Sequence, residues 1–389
     1  MQPWLRLSIA GSATLLVGMG IGRFSYTPLI PALIESGTLS ASQAGYVGAF
    51  NLAGYLVGAL AALRIRTYWG ETPTLRACLI ISLVSLIASI ADLGFIWLLF
   101  WRFLLGVTVA VMMIYSLAIV TRFSPPERLG RATGIVFTGV GVGILLSGTL
   151  IPTLLDHSLM AAWIGLAAIG LLGVFTALWG WRAADDKASA ASTHATIKTA
   201  KRLPITPAVL RLIGGQTMFS IGLVPHTIYW VDYLVRGLGN NIAFGGMHWV
   251  LFGIGAVSGT YLWGRLADWM GFRAGLVLVF TVLAIGVALP VIEVSLWSLV
   301  VSSLVVGAQP GFSAIISGRT HQIVGREHMA RVWRWMALTS GIFQAIGGYA
   351  YVVLFDLTGN YTTIFLIGGG AMTLGALISL TPTNTPRKS

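Results

Sequence analysis

Charge is what this chain has least of: 9% of its 389 residues are Asp, Glu, Lys or Arg, against about 25% in soluble domains. With 56% hydrophobic residues and a mean hydropathy of +0.85, the chain has no room for a separate soluble domain of ordinary size. Cysteine is reduced to Cys78, alone in an apolar run, which excludes an internal disulfide and any cysteine-built zinc site. Six histidines are scattered without HExxH-like spacing, so the convergent cluster that a membrane metalloenzyme needs is missing. No Gly-x-x-x-x-Gly-Lys-Ser/Thr run exists to cradle a nucleotide phosphate. No cofactor is implied. Acids are scarce as well, and the formal net charge is +12. In a soluble protein that balance would suggest nucleic acid; here the basic residues are spread over short loops on one side, which argues against it.

What is present is apolar sequence in long runs. A helix needs roughly 17–25 apolar residues to cross the hydrocarbon core. Twelve segments meet that standard, near 7–34, 43–64, 75–91, 95–121, 132–155, 158–181, 209–235, 244–264, 274–292, 295–318, 332–355 and 361–381. Of the 24 Lys and Arg residues, 21 fall before the first run, in alternate gaps between runs, or in the tail. Cytoplasmic loops retain Lys and Arg, so the pattern places both termini in the cytoplasm. The opening run continues through Arg23 toward Pro31 without a small-residue cleavage site, and reads as a retained first span rather than a signal peptide.

The two halves of the chain repeat. A shift of 201 residues lays Gly45, Gly54, Gly58 and Gly106 on Gly246, Gly255, Gly259 and Gly307. Small residues at such spacing let helices approach closely in lipid. The expectation is an all-α integral membrane protein of twelve transmembrane helices in two six-helix pseudo-repeats. These are an N-terminal bundle over 1–181, a cytoplasmic linker over 182–208 rich in Ala, Ser, Thr and Lys, and a C-terminal bundle with a short tail over 209–389.

Three signatures resemble the major facilitator superfamily across nearly the whole chain. Gly264-Arg265-Leu266-Ala267-Asp268-Trp269-Met270-Gly271-Phe272-Arg273 is similar to its loop motif, Arg102-Phe103-Leu104-Leu105-Gly106 to its buried-arginine motif, and Ser124-Pro125-Pro126-Glu127-Arg128-Leu129-Gly130-Arg131 to its following loop. The opening Gly20-Ile21-Gly22-Arg23-Phe24-Ser25-Tyr26-Thr27-Pro28 resembles the bacterial YbfB/YjiJ-type branch. One departure stands out: Thr67 occupies the place of the motif's Asp between spans two and three. The resemblance implies the major facilitator fold and a monomer. It also implies a gate in which Asp268 pairs with Arg331 or Arg334 at the cytoplasmic end, against the alternative that Asp268 caps the next helix.

Two arginines lie inside apolar runs. A charge at the centre of a span costs on the order of 3 kcal/mol, so it should face protein or a water-filled cavity. At about 1.5 Å per residue, Arg102 lies ~10 Å and Arg23 ~16 Å below the outer edge of their spans. Two guanidiniums on one cavity would suit a carboxylate, phosphate or sulfonate; alternatively each satisfies backbone carbonyls freed by Pro28, Pro31 or a broken helix. His226 and Asp232 are candidates for proton coupling, since Asp/His chains recur as relays, although Asp232 can instead pair with Arg236 one turn on. His248 beside Trp249 reads as interfacial. Tyr26, Asn51, Tyr115, His226, Tyr229, Trp230, Gln309 and Gln344 are candidates to dress the cavity with Arg23 and Arg102.

The expected function is secondary active transport of a small solute, most simply an organic anion, across the bacterial inner membrane. It would proceed by proton-coupled alternating access, with lipid and substrate as the partners. An exporter of neutral drugs or metabolites and a transporter-fold sensor are the alternatives; an enzyme is not expected.

Overall fold

The computed structural model describes residues 1–190 and 205–380, and all their regular structure is helical. Eleven helices are long and apolar enough to cross a membrane. A twelfth span is made by Leu296–Gly307 and Pro310–Gly325, which meet at 45°. In chain order the spans are Pro3–Glu35, Ala41–Trp69, Glu71–Ala88, Phe95–Phe123, Leu129–Leu155, Leu159–Ala190, Pro207–Gly237, Ile242–Met270, Phe272–Ile292, the bent pair, Arg331–Thr358 and Tyr361–Leu380. We number them 1 to 12. Their boundaries follow local chemistry. Ser40 and Gln43 form a reciprocal capping box that opens span 2, and the Asn241 side chain accepts from the Phe244 amide to open span 8. The turns after spans 2 and 8 are made by Gly70 and Gly271, at φ 77° and 84°, where a side chain would be strained. These two glycines are also related by the 201-residue shift.

The repeated glycines mark the closest helix crossings. A Cβ placed on Gly54, Gly58 or Gly106 would strike the carbonyl oxygen of Phe103, Val107 or Asn51, so spans 2 and 4 meet backbone to backbone. On Gly255, Gly259 or Gly307 it would strike the carbonyl of Leu304, Ala308 or Phe252, which interlocks spans 8 and 10 in the same way. The repeat seen in the sequence is therefore a repeat in packing.

Between the halves the contacts are lopsided. Span 5 meets span 8 through Gly148 against Val250 and Gly141 against Val257, and span 2 meets span 11 through Gly45 against Val352 and Gly341 against Leu56. These contacts run from the end opposite the basic loops only to about mid-span. At that end Thr27 Oγ1 donates to the Thr227 carbonyl at 2.5 Å, Ser42 donates to Asp356, and the Tyr46 and Tyr349 rings lie 5.7 Å apart. Toward the basic end, Gly130, Gly134 and Gly264 face open space. The contacts named between the halves thus lie at the end opposite the basic loops.

Of the linker expected over 182–208, residues 191–204 lie outside the described residues; helix runs to Ala190 before them, and Pro207 occupies the first turn of span 7 behind the Thr206 cap after them. One expectation needs correction. The tenth span, expected as one run over 295–318, is broken at Ala308–Gln309 and extends to Gly325. Pro310 opens its second segment, because a proline at the first helical position forfeits no ladder bond.

Candidate substrate site

Leu16–Phe24 of span 1 is wound as a π-helix through Gly18, Gly20 and Gly22. Gly20 lies against the backbone of Gly143 in span 5, an approach that no side chain would allow. Such a bulge takes carbonyls out of the regular ladder, and side chains collect them. Ser25 donates to the Ile21 carbonyl, and Arg102 Nη1 donates to the Gly22 carbonyl at 2.8 Å.

Arg102 is 1% exposed. Its guanidinium lies 4.8 Å from the centre of the Tyr26 ring and 4.9 Å from that of Trp163, contacts worth about 2 kcal/mol each when desolvated. Nε and Nη2 have no hydrogen-bond partner. One nitrogen thus serves a freed carbonyl, as the structural alternative expected, and the other two are left without a partner. Arg23 is half-buried, with its guanidinium 5.5 Å from the ring centres of both Phe24 and Tyr55. No protein acceptor hydrogen-bonds it among the described residues.

Both arginines line one cavity, together with Tyr26 and Thr27 of span 1, Asn51 of span 2 and Thr227 of span 7. No carboxylate lines it. Its free volume is about 20 Å³, room for about one water molecule. Tyr26 presents its ring and spends its hydroxyl on the Ala44 carbonyl at 2.9 Å; Asn51 Nδ2 donates to the Arg102 carbonyl at 2.8 Å, tying span 2 to span 4. The arrangement sets two guanidiniums beside one small cavity, with Tyr26 the one aromatic residue in its lining. Among the described residues no His/Cys/Asp/Glu cluster could hold a metal ion.

A sequence profile of the family described as "Uncharacterised MFS-type transporter YbfB" matches residues 15–380. The chain belongs to this family. It is accordingly a multi-pass membrane transporter of the major facilitator superfamily and not an enzyme. Over 293 residues it is 23% identical to a Haemophilus influenzae protein described as "Putative metabolite transport protein", a match covering 70% of this chain and 69% of that one.

Within this MFS transporter, the other expected site residues do not converge on the arginine cavity. Tyr115 is buried in span 4 and donates to the Ala62 carbonyl, so it fastens spans 2 and 4. His226 is fully buried inside the C-terminal half. Its Nε2 lies 2.8 Å from Ser302 Oγ, and its ring stacks on Trp230 at 4.6 Å with Phe365 edge-on. Trp230 belongs to that same aromatic cluster. His248 is buried beside it, not interfacial, with Nδ1 2.9 Å from Ser303 Oγ. Asp232 is buried near the closed end, where it accepts from Arg236 at 3.2 Å and from the Tyr361 hydroxyl at 2.6 Å. Tyr229 fills the closed seam against Gly45 and Phe355. Gln309 and Gln344 are half-buried, make no side-chain hydrogen bond and do not line the cavity. Asp268 is exposed, and no side-chain hydrogen bond or ion pair is seen for it among the described residues; nor does it cap span 9, whose cap is Gly271.

Several contributors escaped the sequence. Tyr55, one turn beyond Asn51 on the same helix face, and Trp163 supply the walls for the two guanidiniums. Glu71 answers the missing Asp at Thr67: its carboxylate, 8% exposed, pairs with Arg66 at 3.0 Å and Arg122 at 2.8 Å. The available signal was the lone acid immediately after Gly70, one turn from Arg66.

Proposed function

We propose that this protein carries a small organic anion across the bacterial inner membrane by alternating access. On this reading the basic end is cytoplasmic, as the distribution of Lys and Arg supports, and the form described, joined at the other end, is the inward-open one. The observation that carries the reading is Arg102: a buried guanidinium with two unpartnered donors beside a second arginine, in a cavity without an acid. Buried donors without partners are costly, and a carboxylate, phosphate or sulfonate meets both with good geometry. The Tyr26 ring with Leu52 and Ile228 in the lining favours a compact organic anion over a fully hydrated inorganic one. The cavity draws on both halves of one chain, so the working unit is a monomer. In the outward-open form Asp268 pairs with Arg331 or Arg334 to close the cytoplasmic end. Coupling to protons through His226 or Asp232 has no geometric support, because neither side chain lines the cavity.

The test is thermal stability of the purified protein against small carboxylates, phosphates, sulfonates, sugars and organic cations. A ligand that binds only the folded state raises its apparent stability. The expected result is stabilisation by anions that Arg102→Ala and Arg23→Ala abolish. Stabilisation by neutral or cationic compounds that survives both substitutions would defeat the reading and put the export of neutral metabolites in its place.

A further inference from the structure

We propose that the protein is an obligate anion exchanger, carrying one anion in only as it carries another out. The inference rests on the anion reading of Arg23 and Arg102, and it concerns how the site returns across the membrane.

The argument is one of fixed charge in a shrinking space. Two guanidiniums line the cavity and no carboxylate does. Arginine does not give up its proton in proteins, so the empty site carries two positive charges throughout the cycle. Nearby acid cannot be borrowed. Asp232 is held by Arg236 and Tyr361, and Glu71 is held by Arg66 and Arg122 near the basic end. The end opposite the basic loops is already sealed by Thr27, Ser42 and their partners. To face the other way, the basic end must close before this seal breaks. In that intermediate the half-buried Arg23 loses its access to water, as Arg102 already has.

Sealing an uncompensated charge inside a membrane is strongly disfavoured. An anion held between the arginines removes much of that charge and occupies the unspent donors of Arg102. A proton cannot do the same work, because it adds charge of the wrong sign and the lining offers no carboxylate to receive it. A symporter has to bring its site back empty; an exchanger never does. The loaded carrier crosses and the empty one stalls, which is exchange.

The test uses the full chain in proteoliposomes, with radiolabelled acetate, lactate and inorganic phosphate as external probes. Vesicles contain either the matching unlabelled anion or potassium chloride buffered with Bis-Tris alone, and potassium with valinomycin clamps the membrane potential. Uptake into anion-loaded vesicles is expected to exceed uptake into chloride vesicles at least tenfold for the anion accepted, with no stimulation by an inward proton gradient. Arg23→Gln, which removes one of the two anion-binding charges, is expected to abolish uptake into both kinds of vesicle. Equal uptake by the unaltered protein into both kinds of vesicle, or uptake into chloride vesicles driven by a proton gradient, overturns exchange and leaves the anion reading intact. If none of the three probes is taken up and none stabilises the purified protein, the anion reading falls and exchange falls with it.

Discussion

Gly45 offers the sharpest handle on the two-ended architecture. It lies in the closed seam between spans 2, 7 and 11, where a bare Cβ would stand 3.0 Å from Val352 Cγ2 and 3.1 Å from the Tyr229 hydroxyl. A full leucine side chain has no room there. Overpacking of this kind costs about 1–3 kcal/mol. Here the cost falls only on the form in which the seam is closed, so Gly45→Leu shifts the balance toward the opposite opening by about 5- to 150-fold. The background for a labelling assay is favourable, because Cys78 is the only cysteine and is buried. A cysteine placed at Gly134, which faces open space toward the basic end, reports that opening through its rate of reaction with a maleimide. The rate should fall in the Gly45→Leu background by up to the same factor, while a cysteine introduced at Thr27 becomes reactive from the other side. An unchanged rate at position 134 in a folded Gly45→Leu protein would refute the claim that this seam and the basic opening are two faces of one equilibrium.

Other substitutions separate structural from ligand-binding roles. Arg102→Gln loses a charge-assisted hydrogen bond of about 1.5–3 kcal/mol and relieves two unpartnered donors of about 1–3 kcal/mol each. With the ring contacts also lost, the net change should move Tm by less than about 5 °C while abolishing anion-dependent stabilisation; a collapse of the fold would show that the residue is purely structural. Glu71→Gln breaks two ion pairs whose arginines are half exposed, so the loss should be about 1 kcal/mol, read as a Tm lower by about 2–4 °C. Asp232→Asn removes a buried carboxylate from Arg236, itself partly exposed, and from Tyr361, and should cost about 1–3 kcal/mol in weakened hydrogen bonds, leaving the pH profile of transport unchanged. A shifted profile would restore Asp232 as a proton carrier.

Much of the architecture was legible because lipid imposes simple rules. Apolar runs of spanning length, basic residues confined to alternate gaps and the shifted glycines led directly to twelve spans in two packed repeats. Arg23 and Arg102 were legible for the same reason, being charges with no place in an apolar helix. The direction in which a residue faces was not. In a soluble helix, polar and apolar faces reveal the core, but a span is apolar all round, so nothing in the residues around His226 tells the bundle interior from the central cavity. The choice at Asp232 was open in the sequence, since Arg236 stands four residues on, and the nearer partner prevailed. Glu71 was hidden because its pairing with Arg122 joins residues 51 positions apart.

The guanidinium of Arg102 is shared property. One of its nitrogens braces the bulge of span 1 at Gly22, while the other two are buried without a partner in a side chain that lines the cavity. A lineage evolving toward new cargo therefore cannot freely relocate this charge: moving it would loosen a helix as well as a ligand. Diversification is confined to the apolar walls, where Leu52 and Ile228 can change size without touching the brace. Relatives with this bulge should share a charge preference and differ in the shape of what they carry.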